Sequence, residues 1–76
     1  GAQHHVVRDM LTPIVDKNSS LLEIGCGFGR NLKFLLGVRL FEPTQLSGCD
    51  FSKNMINQAK VYIGKTSIQL FVCDVT

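Results

Sequence analysis

Leu21-Leu22-Glu23-Ile24-Gly25-Cys26-Gly27-Phe28-Gly29-Arg30 decides how this chain folds. An apolar run short enough for a buried strand passes through one acid into three alternating glycines, and a helical period begins immediately afterwards. A tight strand-to-helix turn needs dihedrals that side chains resist. A ligand lying against backbone also leaves no room for a Cβ. The stretch therefore reads as a cofactor loop between a first strand and a first crossover helix.

On either side of it, apolar and polar residues alternate between helical and strand patterns. Val6, Val7, Met10, Leu11, Ile14 and Val15 recur at helical spacing, which predicts an amphipathic helix from about Gln3 to Asp16, bent or shortened by Pro13. Asp16-Lys17-Asn18-Ser19-Ser20 is a connecting loop by composition. After Gly29, Leu32, Leu35, Leu36 and Leu40 continue a helix that Gly37 weakens and that Glu42-Pro43-Thr44 ends. A second strand spans Gln45 to Asp50. A helix capped by Ser52 then runs to about Ile63, with Met55, Ile56, Ala59 and Tyr62 facing the sheet and Gly64 closing it. Ile68 to Cys73 makes a third strand, ending at Asp74.

Strands alternating with helices imply parallel pairing, and right-handed crossovers place successive strands side by side. The fold class is α/β: a Rossmann-like, partial doubly wound sheet of order three, two, one with an N-terminal helix. In such a sheet the ligand crevice lies beyond the carboxyl ends of the strands. Gly25 to Gly29, Asp50 and Asp74 all fall at that end.

Composition narrows the function classes. The chain has 76 residues, 45% hydrophobic and 18% charged, with a formal net charge of +2. That supports one domain at most, with a small core. There is no apolar run of bilayer length and no secretory signal, so a cytoplasmic setting is the expectation. The basic residues are scattered, so direct nucleic-acid binding is not indicated. Cys26, Cys49 and Cys73 are too widely spaced for a zinc site, and no metal is expected. Cys49 and Cys73 read as small apolar side chains near strand ends. His4 and His5, near a Gly-Ala start, read as inert.

The glycine register discriminates among cofactors. A nicotinamide or flavin dinucleotide fingerprint wants glycine where Arg30 stands, and a phosphate-binding loop would need a lysine followed by serine or threonine. Asp50 and Asp74 each have a plainer explanation as turn or helix caps, Phe51 and Met55 as core, and Arg30 as a solvated side chain. Their convergence on one sheet edge argues for ligand contact at Asp50 and Asp74.

Glu23-Ile24-Gly25-Cys26-Gly27-Phe28-Gly29, Asp50-Phe51-Ser52 and Cys73-Asp74-Val75 together resemble the first three motifs of class I S-adenosylmethionine-dependent methyltransferases. The resemblance covers the chain from Leu21 to Thr76. It implies that the backbone of Gly25, Cys26 and Gly27 approaches the methionyl part of the cofactor, and that Glu23 steadies the loop or the cofactor's amino group. It implies that Asp50 holds the ribose, that Phe51 and Met55 flank the adenine, that Ser52 belongs to the same cofactor-binding set, and that Asp74 and the Val75 amide meet the adenine edge. A carboxylate at Asp50 accepts from both ribose hydroxyls and repels a 2′-phosphate. Residues 1–76 would then be the cofactor-binding half of a methyltransferase domain acting on a small-molecule acceptor. In the family, acceptor-binding residues mostly follow later strands, so no catalytic residue is assigned and the segment alone is expected to be inactive. The unpaired apolar edge of the first strand predicts that the isolated segment self-associates or is the ordered portion of a longer protein. A nicotinamide-dependent oxidoreductase half and a noncatalytic interaction module are the competing readings.

Overall fold

The computed structural model describes residues 2–74. Its elements run α1 (Ala2–Leu11), β1 (Leu21–Ile24), α2 (Arg30–Val38), a 3₁₀ turn (Pro43–Gln45), β2 (Leu46–Asp50), α3 (Lys53–Ile63) and β3 (Gln69–Val72). The three strands form one parallel sheet of order β1-β2-β3, the neighbour order that the crossovers predict. Leu21 pairs with Leu46 and Ile24 with Cys49; Cys49 in turn pairs with Phe71 and Asp50 with Val72.

Side-chain alternation divides the sheet into two unlike faces. Leu46 and Gly48 point toward α2, where Leu32 and Leu46 are fully buried. Ile56, Ala59 and Ile63 bury the facing stripe of α3. Leu22, Ile24, Cys49 and Phe71 share the other face by register, and there Leu22 and Ile24 are 51% and 70% exposed. Among the described residues, β1 pairs only with β2 and so remains an edge.

Several boundaries depart from the sequence expectation. α1 stops at Leu11, not Asp16, because the ring of Pro13 disfavours helical geometry at Thr12. Thr12 closes the helix instead, its N–H and hydroxyl both donating to the Arg8 carbonyl, at 2.8 and 2.6 Å. Val6, Met10 and Ile14 are exposed, and only Val7, Leu11 and Val15 of the expected stripe are half-buried. Gln45 belongs to the 3₁₀ turn rather than to β2, because its side chain is otherwise engaged. Its Nε2 donates to the carbonyls of Asp16 and Ser19, and its Oε1 accepts from the Glu42 N–H. β3 is shorter than Ile68 to Cys73 by one residue at each end. On α3 the third inward residue is Ile63; Tyr62 is 43% exposed and carries the Lys33 ammonium 4.3 Å above its ring.

His4 is not inert. Its imidazole packs against the Phe34 ring with centroids 4.6 Å apart, and it fills the space over Gly37, where an added Cβ would lie 2.8 Å from Nε2. Gly37 thus makes room for the α1–α2 contact, and α2 continues past it to Val38.

Candidate functional site

The carboxyl ends of β1 and β2 are joined by main-chain hydrogen bonds. The Cys49 carbonyl accepts from both Gly25 N–H at 2.8 Å and Cys26 N–H at 2.9 Å, so the first two residues leaving β1 are held to β2 by main chain. Gly25 and Gly27 take φ of +76° and +56°, the left-handed region that glycine enters freely. A Cβ built on either meets no atom within 4 Å. The loop thus presents backbone to open space above the sheet edge. Gly29 differs: an added Cβ would lie 2.7 Å from Ile63 Cδ1, so its glycine serves packing between the loop and the end of α3.

Asp50 closes the arrangement. Its Oδ2 accepts from Gly27 N–H at 2.9 Å and its Oδ1 from Ser52 N–H at 3.0 Å, which ties the glycine loop to the turn before α3. Those donors, Ser52 first and then Gly27, hold the carboxyl below its ordinary value of 3.8, so it is ionised at neutral pH. Each oxygen keeps a further lone pair for a ligand hydroxyl. Ser52 is also the N-cap of α3, its Oγ accepting from Met55 N–H at 3.2 Å.

Glu23 lies half-buried on β1. One carboxylate oxygen accepts from Asn31 Nδ2 at 2.7 Å, while the other, Oε1, is buried without a hydrogen-bond partner. A buried acceptor in that state is an open place for a donor, because leaving it unpaired is unfavourable. Asn31 was not singled out from sequence. The signal was its position: it is the second residue of the helix that the glycines open, and one turn of backbone brings it back over the strand end.

The remaining predicted residues divide. Cys26 contributes backbone only, since its side chain is 7% exposed and points beneath the loop toward Gly48. Burial pushes its thiol up, and the Asp50 and Glu23 charges push the same way, which lowers its thiolate share at neutral pH. Phe51 is 55% exposed and Met55 half-buried. Asp74 follows Cys73, whose N–H donates to the Asp50 carbonyl at 2.9 Å, so it leaves β3 at the same sheet edge as Asp50. Val75 lies outside the described residues. A separate hollow of about 510 Å³, lined by Phe28, Asn57, Gln58, Val61 and Tyr62, includes none of the predicted cofactor residues. Among the described residues no cluster of three metal-ligating side chains occurs, and no helix is long and apolar enough to cross a membrane.

Comparison with known proteins agrees with this geometry. The fold superposes on the methyltransferase domain of bacterial CtHen1-C with a TM-score of 0.69 and 26% identity, over 95% of this chain and 39% of that one. It also superposes on the PH0226 protein from Pyrococcus horikoshii OT3 with a TM-score of 0.62 and 27% identity, over 96% of this chain and 31% of that one. The chain thus spans 39% and 31% of the length of these two structures. A family described as a methyltransferase domain matches residues 22–76, the glycine loop, Asp50 and Asp74 included. With its glycine loop, parallel sheet and strand-end carboxylates placed as described, the chain belongs to the methyltransferase-domain family.

Proposed function

We propose that residues 21–76 form the S-adenosylmethionine-binding part of a methyltransferase whose acceptor is a small molecule. The observation that carries this reading is the Asp50 carboxylate, ionised and held between the glycine loop and the N-terminus of α3. The residues present fit the cofactor. Gly25 and Gly27 leave space over the loop that any Cβ would enter, and the unpartnered Glu23 Oε1 offers an acceptor for an ammonium donor. The cofactor supplies an electrophilic methyl group on a sulfonium; this chain's residues bind and orient it. In this reading Glu23, steadied by Asn31, receives the amino group, and the Gly25-Cys26-Gly27 backbone lies along the methionyl part. Asp50 takes the ribose hydroxyls, Phe51, Ser52 and Met55 border the adenine, and Asp74 with Val75 meets its edge. The alignment of acceptor and methyl carries much of the rate in such transfers.

Calorimetric titration with S-adenosylhomocysteine and, separately, NADH tests the reading, with Asp50→Ala and Glu23→Gln beside the wild type. Saturable binding of the first ligand alone is expected. Each substitution removes a charge-assisted contact and weakens binding about tenfold or more. Equal affinity for NADH, or binding indifferent to both substitutions, overturns it.

A further inference from the structure

Two of the three cysteines meet on the sheet face that the helices leave uncovered. Cys49 sits on β2 opposite Phe71, and Cys73 lies just past the end of β3, two residues after Phe71, so alternation carried on from the strand sets both side chains on the same side. The two thiols interact, the Cys49 side chain pushing the Cys73 thiol up. Cys49 is buried and Cys73 half-buried, so the pair has one reagent-accessible partner. Cys26 stands apart, turned to the opposite side of the sheet toward Leu32 and Gly48.

From this geometry we propose that Cys49 and Cys73 are an oxidisable dithiol that closes to a disulfide with a hydroperoxide and thereby alters the adjoining ligand site. The chemistry balances with the peroxide as oxidant. The Cys73 thiolate attacks the O–O bond, giving a sulfenic acid and releasing water or an alcohol. The Cys49 sulfur then displaces hydroxide from the sulfenyl sulfur, and its proton leaves with that oxygen as water. Two thiols lose two electrons, and the peroxide gains them.

Closure has a mechanical consequence. A disulfide requires Cα atoms about 4.4–6.8 Å apart, whereas diagonal neighbours on adjacent strands lie about 7–8 Å apart. Bridging therefore draws Cys73 back along β2 and strains the hydrogen bond from its N–H to the Asp50 carbonyl. Asp74, the next residue, moves with it. The resting pair resists mild oxidation, because the interaction with Cys49, reinforced by desolvation, raises the Cys73 thiol to about 11.

The test treats the reduced 76-residue chain with hydrogen peroxide, natively and in urea, and maps the products. Trypsin places Cys26, Cys49 and Cys73 in three different peptides, 18–30, 40–53 and 66–76. Native oxidation is expected to yield the 40–53/66–76 link, with two hydrogens lost, equally in Cys26→Ser. Cys49→Ser is expected to stop at a dimedone-reactive sulfenic acid on Cys73. In Cys26→Ser the rate is expected to rise about tenfold per pH unit through pH 10, where an unfolded control levels off near the ordinary thiol value. Links to Cys26, scrambling equal to that in urea, or no intramolecular link overturns the proposal.

The effect on binding rests on the cofactor reading and separates from it. Oxidation is expected to weaken S-adenosylhomocysteine binding about tenfold, the equivalent of one good hydrogen bond, and dithiothreitol to restore it. A linked chain that binds as tightly as the reduced one overturns the coupling. A reduced chain that binds neither ligand overturns the cofactor reading and leaves the dithiol result standing.

Discussion

Gly48 is buried at the middle of the central strand, and substitution by alanine tests whether the packing beneath the loop is as close as described. Its added Cβ would stand 2.6 Å from Leu32 Cδ1 and 3.1 Å from both Cβ and Sγ of Cys26, where ordinary contact begins at 3.4 Å. Leu32 is fully buried and must retreat by about 1 Å into neighbours already in contact. Such overpacking costs about 1–3 kcal/mol. The loss of glycine's freedom in the unfolded chain returns about 0.4–1 kcal/mol, leaving a net destabilisation of about 1–2 kcal/mol. For a domain this small the urea dependence is about 1 kcal/mol per molar, so the midpoint falls by about 1–2 M. Far-ultraviolet circular dichroism is the suitable probe, because the chain has no tryptophan and one tyrosine. Leu32→Val removes the obstructing methyl region at a cost of about 1 kcal/mol alone, and the double substitution should lose less than the sum of the singles by at least about 0.5 kcal/mol. A Gly48→Ala chain as stable as the wild type, or strict additivity in the double variant, refutes the close-contact argument.

The pH dependence of Asp50 has a fixed sign. Its folded value is depressed below 3.8, so the stability it contributes is complete above 3.8 and is lost as pH falls through the lower folded value. The stability gap between wild type and Asp50→Asn should therefore be constant from about pH 7 to 5 and narrow toward pH 2 in urea titrations; a gap that does not narrow contradicts the assignment. Ser52→Ala removes the acceptor for Met55 N–H and should destabilise the chain by about 1 kcal/mol, read as a lower urea midpoint. Ser52→Asp, which keeps the cap, should restore most of it.

The elements that the sequence disclosed were those whose cause is local. The glycine turn follows from the residue types at 25–29, the α3 cap from Ser52, and the sheet order from the chirality of successive crossovers. Asp50 and Asp74 were legible because strand ends in a parallel sheet share an edge. What escaped depended on partners distant in sequence. Gln45 reads as a strand residue until its amide is seen holding the carbonyls of Asp16 and Ser19. His4 reads as dispensable until Gly37 is seen to leave a space of its size. Tyr62 and Ile63 are adjacent on α3, and which faces inward is decided by Gly29 against Ile63, not by periodicity. Asn31 escaped because an asparagine in a first helical turn is usually solvated, and only the strand beneath it gives it Glu23.

The double hydrogen bond to the Cys49 carbonyl means that the glycine loop acquires its shape only once β2 has docked beside β1. The binding surface is therefore a product of assembly between two segments some twenty-five positions apart, and cannot exist in the isolated strand-turn-helix that carries its motif. The anchor is also main chain, indifferent to which side chains occupy 26 and 49. What limits those two positions is room: both side chains are buried, so the bonds that hold the cradle tolerate any residue there small enough for the space beneath it.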